Sequence, residues 1–368
     1  MVKSERPDCL IIGGGLVGMT MARELAASGA SVQLLERGAC GRESSWAGGG
    51  ILSPLVPWDM PDAVSRLAQW SQRAYPALAA QLLQESGIDP QWTRSGLLSV
   101  DTSADDWQRA RAWAAIYGMR IEHLGGAAVA AIEPACRPVR EAIWLPGVAQ
   151  VRNPRLLQAL QKSLMSAGVS IREHAPVAQV LVHGGRVRGV RLHDGTEIEA
   201  DRVIVAGGAW SGELLAPFAV GAGVKPVKGQ MLLYQGEPGL LRSVLLHGGY
   251  YAVPRRDGQI LFGSTLEDTG FDASISVEAR GELSAAATAL LPVLAELSLV
   301  RQWAGLRPGS PQGVPRIGPI PGIEGLFLNA GHYRNGVLLA LGSARLLADL
   351  VLGRTPILPP AQYLPVSH

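Results

Sequence analysis

The stretch DCLIIGGGLVGMTMARELAASGASVQLLE, residues 8–36, decides the fold of this chain. A short apolar run enters three consecutive glycines, an amphipathic segment follows, and a second apolar run ends at Glu36. Short apolar runs bounded by glycine indicate buried strands, and apolar residues at helical spacing between them indicate a helix packed on the sheet. The stretch therefore predicts one βαβ unit at the start of an α/β fold.

Glycines in this unit follow the spacing Gly13-x-Gly15-x-x-Gly18, and Glu36 lies eighteen residues after Gly18. Gly13 permits a tight turn, Gly15 lets the backbone approach a pyrophosphate, and Gly18 allows the helix to pack closely on the strand. The helix N-terminus offers N–H groups and a positive dipole end to phosphates, and Glu36 can accept hydrogen bonds from ribose hydroxyls. The motif predicts an adenine dinucleotide site; a glycine-rich turn without a ligand is the alternative.

Composition places the chain among globular proteins. Of 368 residues, 47% are hydrophobic and 17% are charged, and the net charge is +2. This composition excludes a disordered chain, and the charge gives no reason to expect nucleic acid or an anionic membrane as a partner. The length favours two intimately built domains.

Cysteine usage and apolar runs predict a soluble, cytoplasmic protein. Cys9, Cys40 and Cys136 form no C-x-x-C pair and are typical of reduced thiols. The first apolar run follows an acidic residue, so no signal peptide is predicted. The C-terminal apolar run contains Arg345 and Asp349 and is too interrupted to span a membrane.

The rest of the chain mixes helical and strand-rich segments, with no metal-ligand cluster and no Pro/Ser spacer between them. We expect crossings between two domains rather than two separate units. Helices are predicted over residues 62–86, 104–118, 156–168, 274–300 and 336–352, and short strands over 186–194, 196–208 and a hairpin at 250–265.

Two further segments indicate which dinucleotide binds. No second GxGxxG motif follows, as a protein binding both flavin and nicotinamide would carry. Residues 41–54 are rich in small and hydroxyl side chains that would let backbone amides approach a bulky ring system or phosphates, although a plain loop is the alternative. The strand RVIVAGGAWS, 202–211, ends in two glycines that suit another close approach.

Together these segments resemble the D-amino-acid oxidase family of FAD-dependent amine oxidases over nearly the whole chain. The resemblance rests on the glycine fingerprint with Glu36, on SSWAGGG (44–50), on ADRVIVAGGAWS (200–211) and on GHYRNGVLLALG (331–342). It implies an α/β fold: a Rossmann-like FAD-binding domain of the D-amino-acid oxidase (GR2) type, and an interleaved α+β substrate domain built on a large antiparallel sheet.

We expect the FAD-binding domain in residues 1–83, 150–218 and 304–368, and the substrate-binding domain in 84–149 and 219–303. Relatives with covalent flavin use a cysteine in the segment after Arg307, where this chain has none at 309–312. The resemblance therefore implies non-covalent FAD. The residues expected to bind it are Gly13, Gly15, Gly18, Glu36, Arg37, Ser44, Ser45, Ala47, Gly48, Gly49, Val177, Ala206, Gly207, Trp210, Gly305, Arg307, His332, Arg334, Asn335, Gly336, Val337 and Leu338.

Within the family, the chain most resembles the members that oxidise glycine. This resemblance rests on residues 227–230, 250–267, 303–318 and 331–336. This implies an oxidase of glycine, sarcosine or small D-amino acids, in which a hydride passes from Cα to flavin N5. The products would be an imine, then glyoxylate and ammonia, with hydrogen peroxide from O2. A role in making the thiamine thiazole and a homo-oligomer, tetramer or dimer, are also implied. The alternatives are an FAD dehydrogenase of D-amino acids or 2-hydroxy acids that reduces a quinone, and a non-catalytic dinucleotide-binding protein.

A guanidinium fork is the natural partner of a substrate carboxylate. Arg307 follows a strand-like segment and precedes Pro308-Gly309, and the resemblance assigns it this role. Tyr250 and Tyr251 point to opposite faces of a strand, and periodicity leaves the choice open; the resemblance selects Tyr251. It also places Leu266 as an apolar wall near the substrate Cα.

The segment GHYRNG, 331–336, begins the last apolar helix. The resemblance implies that this helix N-terminus points at the pyrimidine end of the flavin, where its N–H groups would stabilise negative charge. Arg334 would lie beside the flavin near the substrate carboxylate or the entrance. His332 is expected near the flavin but not as a base.

Overall fold

The computed structural model describes residues 6–218, 220–221 and 223–367. Residues 1–5, 219 and 368, which carry outer edges of the predicted domain segments, lie outside the described residues. The assignment of chain segments to two domains stays a prediction.

Helices and strands alternate along the described residues. The helices are α1 (Leu16–Ala26), α2 (Ser44–Ala47), α3 (Asp62–Ser86), α4 (Ala104–Tyr117), α5 (Gly126–Ile132), α6 (Asn153–Ser166), α7 (Ser211–Leu215), α8 (Val277–Leu290) and α9 (Gly336–Val351). The strands are β1 (Cys9–Ile12), β2 (Val32–Leu35), β3 (Leu97–Val100), β4 (Glu122–Gly125), β5 (Glu141–Leu145), β6 (Ser170–Arg172), β7 (Val177–His183), β8 (Arg186–Leu192), β9 (Glu197–Glu199), β10 (Val203–Val205), β11 (Val220–Gly221), β12 (Lys225–Gln235), β13 (Val244–His247), β14 (Tyr250–Pro254), β15 (Gln259–Gly263), β16 (Ser298–Gly309), β17 (Arg316–Pro319), β18 (Leu326–Ala330) and β19 (Val366–Ser367).

The βαβ unit forms the centre of a six-stranded sheet with the order β17-β18-β10-β1-β2-β6. Strands β18, β10, β1, β2 and β6 are parallel, and β17 is antiparallel at the edge. Every residue of β1 is buried because helices cover the sheet. The predicted βαβ unit is confirmed, and the carboxyl ends of β1, β10 and β18 meet at one edge of the sheet, where open α/β sheets bind ligands.

A second sheet has eight strands in the order β16-β12-β15-β14-β13-β3-β5-β4. It is antiparallel as predicted, except that β13 and β3 pair in parallel. Two smaller antiparallel groups are β7-β8-β9 and β11-β19. The fold class predicted from the sequence, a Rossmann-like unit combined with a large antiparallel sheet, is confirmed.

The helix predicted over 274–300 is wrong at its C-terminal end. Helix α8 ends at Leu290, a 3-10 turn spans Pro292–Glu296, and β16 begins at Ser298. Pro292 lacks the N–H that would continue the helix, and the apolar run around it suits a helix and a strand equally well. Pairing with β12 along its length makes 298–300 a strand.

The last helix is buried between other helices. Helix α9 packs against α1 and α3 and buries residues 338–344 and 346–349. The hydroxyl of Tyr75 in α3 donates to the carbonyl of Val337 in the first turn of α9. Of the described helices, none combines the length and the apolar character needed to cross a membrane.

Arg255 connects the eight-stranded sheet to the segment after α2. Its side chain is 7% exposed, and its guanidinium donates to the carbonyls of Gly49 and Val151 at 2.9 Å each and to Gln150 Oε1 at 2.6 Å. Burial, and then the nearby charge of Arg152, lower the pKa of Arg255 to about 9. The segment around Gly49 is therefore fixed by a side chain from β14–β15.

Candidate active site

A cavity of about 430 Å³ lies between the two large sheets. Its volume is in the range of about 300–1,000 Å³ typical of small-molecule and cofactor sites. The predicted residues that line it are Gly13, Gly15, Glu36, Arg37, Ser44, Ser45, Ala47, Gly48, Gly49, Val177, Ala206, Gly207, Trp210, Tyr251, Gly305, Arg307, His332, Arg334, Gly336, Val337 and Leu338. One cavity thus brings together residues from four distant stretches of sequence.

The glycine fingerprint leaves no room for side chains. Gly13 has a φ of +114°, and a Cβ there would lie 2.4 Å from the carbonyl oxygen of Ala206. Gly18, predicted to bind the cofactor, does not line the cavity. A Cβ there would lie 1.9 Å from the carbonyl oxygen of Gly13, so glycine permits the packing of α1 on β1. These contacts bring the N-terminus of α1 to the cavity wall.

Polar side chains organise the turn around α1. Glu36 Oε2 accepts from the backbone N–H of Gly14 at 2.7 Å, and Oε1 accepts from Gly38 at 2.9 Å. Ser45 Oγ accepts from the N–H of Leu16 at 2.9 Å, at the first turn of α1. Each carboxylate oxygen of Glu36 keeps a lone pair that can accept a ribose hydroxyl.

Arg37 and Trp210 form one side of the cavity. The guanidinium of Arg37 lies 3.5 Å from the centre of the Trp210 ring and pairs with Glu43 at 2.7 Å. The ring of Trp210 stacks on Phe271, with 5.5 Å between their centres. An aromatic and cationic wall therefore covers the part of the cavity nearest the α1 turn.

Asn329 is a lining residue that the sequence reasoning missed. It is 1% exposed, and neither its side-chain nitrogen nor its oxygen has a hydrogen-bond partner among the described residues. Buried amides rarely stay unpaired, so this group fits a polar ligand in the cavity. Its position at the carboxyl end of β18, directly before Ala330-Gly331, was the available signal.

These features fit a dinucleotide such as FAD. Glycine contacts that a Cβ would fill, a helix N-terminus, an anchored carboxylate and an unpaired amide all face one cavity. The residues that would hold its phosphates and ribose are Gly13, Gly15, Ser45 and Glu36.

Arg307 lies in a second part of the cavity lining, away from the glycine fingerprint. Its Nη1 donates to the carbonyls of Lys228 and Thr265 at 3.2 Å each, and its Nη2 donates to Ser264 Oγ at 2.7 Å. A guanidinium has five N–H donors, so Nε–H and one Nη2–H remain, enough for a two-point contact with a carboxylate. Burial lowers the pKa of Arg307, and the adjacent Tyr251 partly opposes this shift.

The strand β14 places Tyr251 and Tyr250 on opposite faces. Tyr251 is 8% exposed and lines the cavity, and its hydroxyl lies 3.3 Å from Met231 Sδ. Tyr250 lies outside the lining and donates to Glu282 at 2.6 Å. A Cβ at Gly49 would lie 2.9 Å from the Tyr251 ring, so the segment after α2 packs directly on this tyrosine.

The segment 331–336 supplies the third part of the lining. Residues Tyr333–Asn335 form a 3-10 turn, and α9 begins at Gly336 with its first turn at the cavity. Arg334 is exposed and donates from Nη2 to the carbonyl of Gly249 at 3.2 Å. A Cβ at Gly336 would have 3.7 Å to the nearest protein atom, so the protein alone does not require glycine there.

His332 lines the cavity, but its ring is hydrogen-bonded to another side chain of the protein. It is 1% exposed, and its Nε2 is 3.0 Å from Ser343 Oγ. Burial lowers the pKa of His332 to about 3, so the ring is neutral near pH 7. Its geometry gives no role as a general base.

Leu266 requires a correction. It was expected as an apolar wall of the substrate pocket, but it does not line the cavity and is 58% exposed. The chain turns after β15, and it is Ser264 Oγ and the Thr265 carbonyl that face Arg307. Asn335 also lies outside the lining, with its amide 4.0 Å from Met60 Sδ.

In residues 6–218, 220–221 and 223–367, no group of three or more His, Cys, Asp or Glu side chains could hold an ion.

Comparisons with known proteins identify the family and the fold. The chain matches the family model described as FAD dependent oxidoreductase (DAO) over residues 8–350. A glycine oxidase from Pseudomonas aeruginosa is 49% identical over 361 residues, which cover 98% of this chain and 98% of the relative. A glycine oxidase from Pseudomonas putida is 46% identical over 358 residues, or 97% of each chain.

Among solved structures, the glycine oxidase from Geobacillus kaustophilus superposes with a TM-score of 0.93 at 29% identity, covering 99% of both chains. The resemblance seen in the sequence is therefore confirmed by sequence and by fold. With the family model spanning nearly the whole chain, this protein belongs to the family of FAD dependent oxidoreductases.

Proposed function

We propose that this chain is an FAD-dependent oxidase of glycine and other small amines or amino acids, including sarcosine and small D-amino acids. One observation carries the proposal: Arg307 presents two unused donors beside the Tyr251 hydroxyl, in the same cavity as the dinucleotide fingerprint. Relatives of nearly full length that bear the name glycine oxidase support it.

FAD, when bound, would accept the hydride that leaves the substrate Cα. Reoxidation of the reduced flavin by O2 would yield hydrogen peroxide. For glycine the balanced reaction is glycine + O2 + H2O → glyoxylate + NH3 + H2O2. The N-terminus of α9 lines the cavity with Gly336, Val337 and Leu338, and its dipole favours negative charge on the bound cofactor.

Binding of this FAD is proposed to be non-covalent. Attachment through cysteine needs a thiol at the flavin, and none of Cys9, Cys40 and Cys136 lines the cavity. Cys40 packs against the α1 turn, since a Cβ at Gly14 would lie 2.5 Å from its Sγ, but burial and the neighbouring Glu173 and Glu36 raise the pKa of its thiol to about 12.

The protein's part in the reaction is orientation. Arg307 would bind the substrate carboxylate with Nε and Nη2, and Tyr251 would donate a hydrogen bond to the same group. Arg334 adds positive charge near the mouth of the cavity and contributes to the lowered pKa of Arg307. An ammonium group would be repelled by the two guanidinium groups, which favours the neutral amine from which a hydride can leave.

Purified protein with its bound chromophore tests the proposal. Its visible spectrum should show a flavin, and glycine, sarcosine and D-alanine should each be assayed for peroxide formation in air. Peroxide in proportion to substrate is the expected result.

Other outcomes separate the alternatives. A colourless protein to which added FAD does not bind would refute the flavin site. A flavin that glycine bleaches without oxygen, but that O2 reoxidises poorly while a quinone reoxidises it well, would favour the dehydrogenase. The role in thiamine thiazole formation, the homo-oligomer and the cytoplasmic location stay predictions.

A further inference from the structure

A polar cluster with a buried centre lies on the face of the sheet opposite to the one from which Arg307 points into the cavity. We call it the Lys228 network; its members are Lys228, Gln230, Thr265, Glu267 and Asp272. Lys228 is 4% exposed, Gln230 0% and Thr265 5%, whereas the side chains of Glu267 and Asp272 are 26% and 50% exposed. The proposed mechanism uses none of these side chains.

The register of β12 against β16 defines which face the network occupies. Val227 pairs with Arg307 and Gly229 with Gly305, and a Cβ at Gly229 would lie 2.1 Å from the Arg307 guanidinium. Side chains of a strand alternate between faces, so Lys228 and its neighbour Gln230 point away from the cavity.

Charge and backbone together bind the segment after β15 to β12. Lys228 Nζ lies 3.0 Å from Glu267 Oε2 and 3.1 Å from Asp272 Oδ2. The backbones of Lys228 and Glu267 also exchange two hydrogen bonds, at 2.9 and 3.0 Å. Residues 267–272 are therefore held to β12 by these four polar contacts.

Glu267 is the centre of the remaining contacts. Its Oε1 accepts from Thr265 Oγ1 at 2.5 Å and from Gln230 Nε2 at 3.0 Å. Thr265 Oγ1 in turn accepts from the backbone N–H of Gln230 at 2.8 Å. Each member of this chain of hydrogen bonds needs its partner in the present orientation.

The three acceptors that hold the Arg307 guanidinium all belong to the two segments that this network joins. They are Ser264 Oγ and the carbonyls of Thr265 and Lys228. We propose that the Lys228 network is a positioning device: it fixes these acceptors so that the two remaining donors of Arg307 point into the cavity. The inference rests on the proposed carboxylate-binding role of Arg307.

Stability alone gives little reason for such a network. A buried lysine such as Lys228 loses hydration that its attraction to a carboxylate does not always restore, and an apolar residue of similar size is often as stable. A binding group must also keep its position to within about half an ångström, and this requirement is separate from stability. The network meets it because its hydrogen bonds are directional.

The chain provides a matched control. Lys225 and Asp268 pair at 3.1 Å and connect the same two segments as Lys228 and Glu267. Their side chains are 66% and 73% exposed, and neither residue supplies an acceptor to Arg307. A variant without this exposed pair loses one contact between the two segments but keeps the contacts of the Lys228 network. It therefore serves as the control.

The experiment compares Glu267→Gln and Lys228→Met with Asp268→Asn and Lys225→Met, each as the FAD-loaded enzyme. Acetate, a carboxylate without an amine, is titrated against the flavin absorbance, and flavin content and melting temperature are recorded. In Glu267→Gln an amide N–H replaces one acceptor and faces a donor, so we expect acetate to bind about tenfold more weakly, about 1.4 kcal/mol, with less than about twofold change in the controls. The KM for glycine should rise by a similar factor while kcat changes less than about twofold.

A second pair of variants keeps the test decisive if Glu267→Gln does not fold. Thr265→Val preserves shape but removes the hydroxyl, and should weaken acetate binding like Glu267→Gln. Thr265→Ser retains the hydroxyl and should restore it. Wild-type acetate affinity in Thr265→Val, or equal losses in the exposed-pair controls, would overturn the positioning role.

Arg307→Ala separates this inference from the proposed function. If Arg307→Ala does not weaken acetate binding, the carboxylate role of Arg307 itself fails. If Arg307→Ala weakens it but the network variants do not, only the positioning role fails.

Discussion

In the β1–α1 part of the cavity the closest contacts involve the backbone of glycines, whereas the β12–β16 part presents the side chains of Arg307 and Tyr251. Gly13, Gly15 and Gly18 act through the absence of a Cβ, and the nearest atoms are carbonyl oxygens and a serine hydroxyl. Arg307 and Tyr251 act through a guanidinium, held by two backbone carbonyls and Ser264 Oγ, and a phenol that contacts Met231 Sδ. A Cβ at Gly13 or Gly18 would overlap a backbone carbonyl oxygen, whereas in the second part the positions of the polar atoms matter.

The largest expected effect lies in the backbone part. Gly18→Ala would put a Cβ 1.9 Å from the Gly13 carbonyl oxygen, so helix and strand must separate. We expect a loss of about 3 kcal/mol in the free energy of unfolding and little retained flavin. Urea unfolding and the flavin-to-protein absorbance ratio measure both. Gly147→Ala, where a Cβ meets nothing within 4 Å, is the control; equal losses in both variants would contradict the assignment.

Arg307→Ala should give the next largest effect, confined to catalysis. Losing two charge-assisted hydrogen bonds of about 1.5–3 kcal/mol each should lower kcat/KM for glycine at least about a hundredfold. Flavin content should not change, because the backbone part still holds the cofactor. Arg301→Ala, on the same strand but exposed and stacked near Trp46, should behave as wild type. Loss of flavin in Arg307→Ala would show that the two parts are not separable.

Tyr251→Phe and Tyr250→Phe test strand alternation in the side-chain part. Removing the Tyr251 hydroxyl should raise the KM for glycine about tenfold, as expected for one hydrogen bond to a charged group. Tyr250→Phe should leave KM unchanged, because its hydroxyl contacts Glu282 outside the cavity. Steady-state kinetics with glycine decide the point, and a larger effect from Tyr250 would reverse the assignment of faces.

The smallest effect concerns His332, where the two parts meet. Its pKa falls from 6.5 to about 3 on burial, so in this window the unfolded chain binds a proton that the folded chain does not. The free energy of unfolding should therefore fall as pH falls from 6.5 toward 3, by at most about 1.4 kcal/mol per pH unit from this group. Urea unfolding at pH 7, 5.5 and 4.5 under a fixed excess of FAD should show a shallower fall for His332→Asn. If the free energy of unfolding falls equally with pH in the variant and the wild type, His332 does not cause the fall.

Sequence reasoning succeeded where a local pattern carries the structure. The βαβ unit follows from the period of apolar residues and the glycine spacing, all within residues 8–36. The end of α8 was missed because the apolar run across Pro292 suits helix and strand equally, and pairing with β12 decides.

Side chains of the second part depend on contacts far apart in sequence. The acceptors that hold Arg307 lie 42, 43 and 79 residues away along the chain, and no local period marks them. Leu266 was misplaced for the same reason, since the turn after β15 sets which neighbours face the cavity. Asn329 was missed because a single amide after a strand looks like any other until its partners are counted.

Arg255 joins the hairpin β14–β15 to the segment that covers Tyr251, through the carbonyls of Gly49 and Val151. Local opening at Gly49 must break a buried guanidinium contact, so this loop and the hairpin open together rather than one at a time. Amide hydrogen exchange in β15 should then slow when a nucleotide occupies the glycine turn, although no residue of β15 lines the cavity. A ligand bound at the six-stranded sheet would therefore raise the local stability of the eight-stranded sheet.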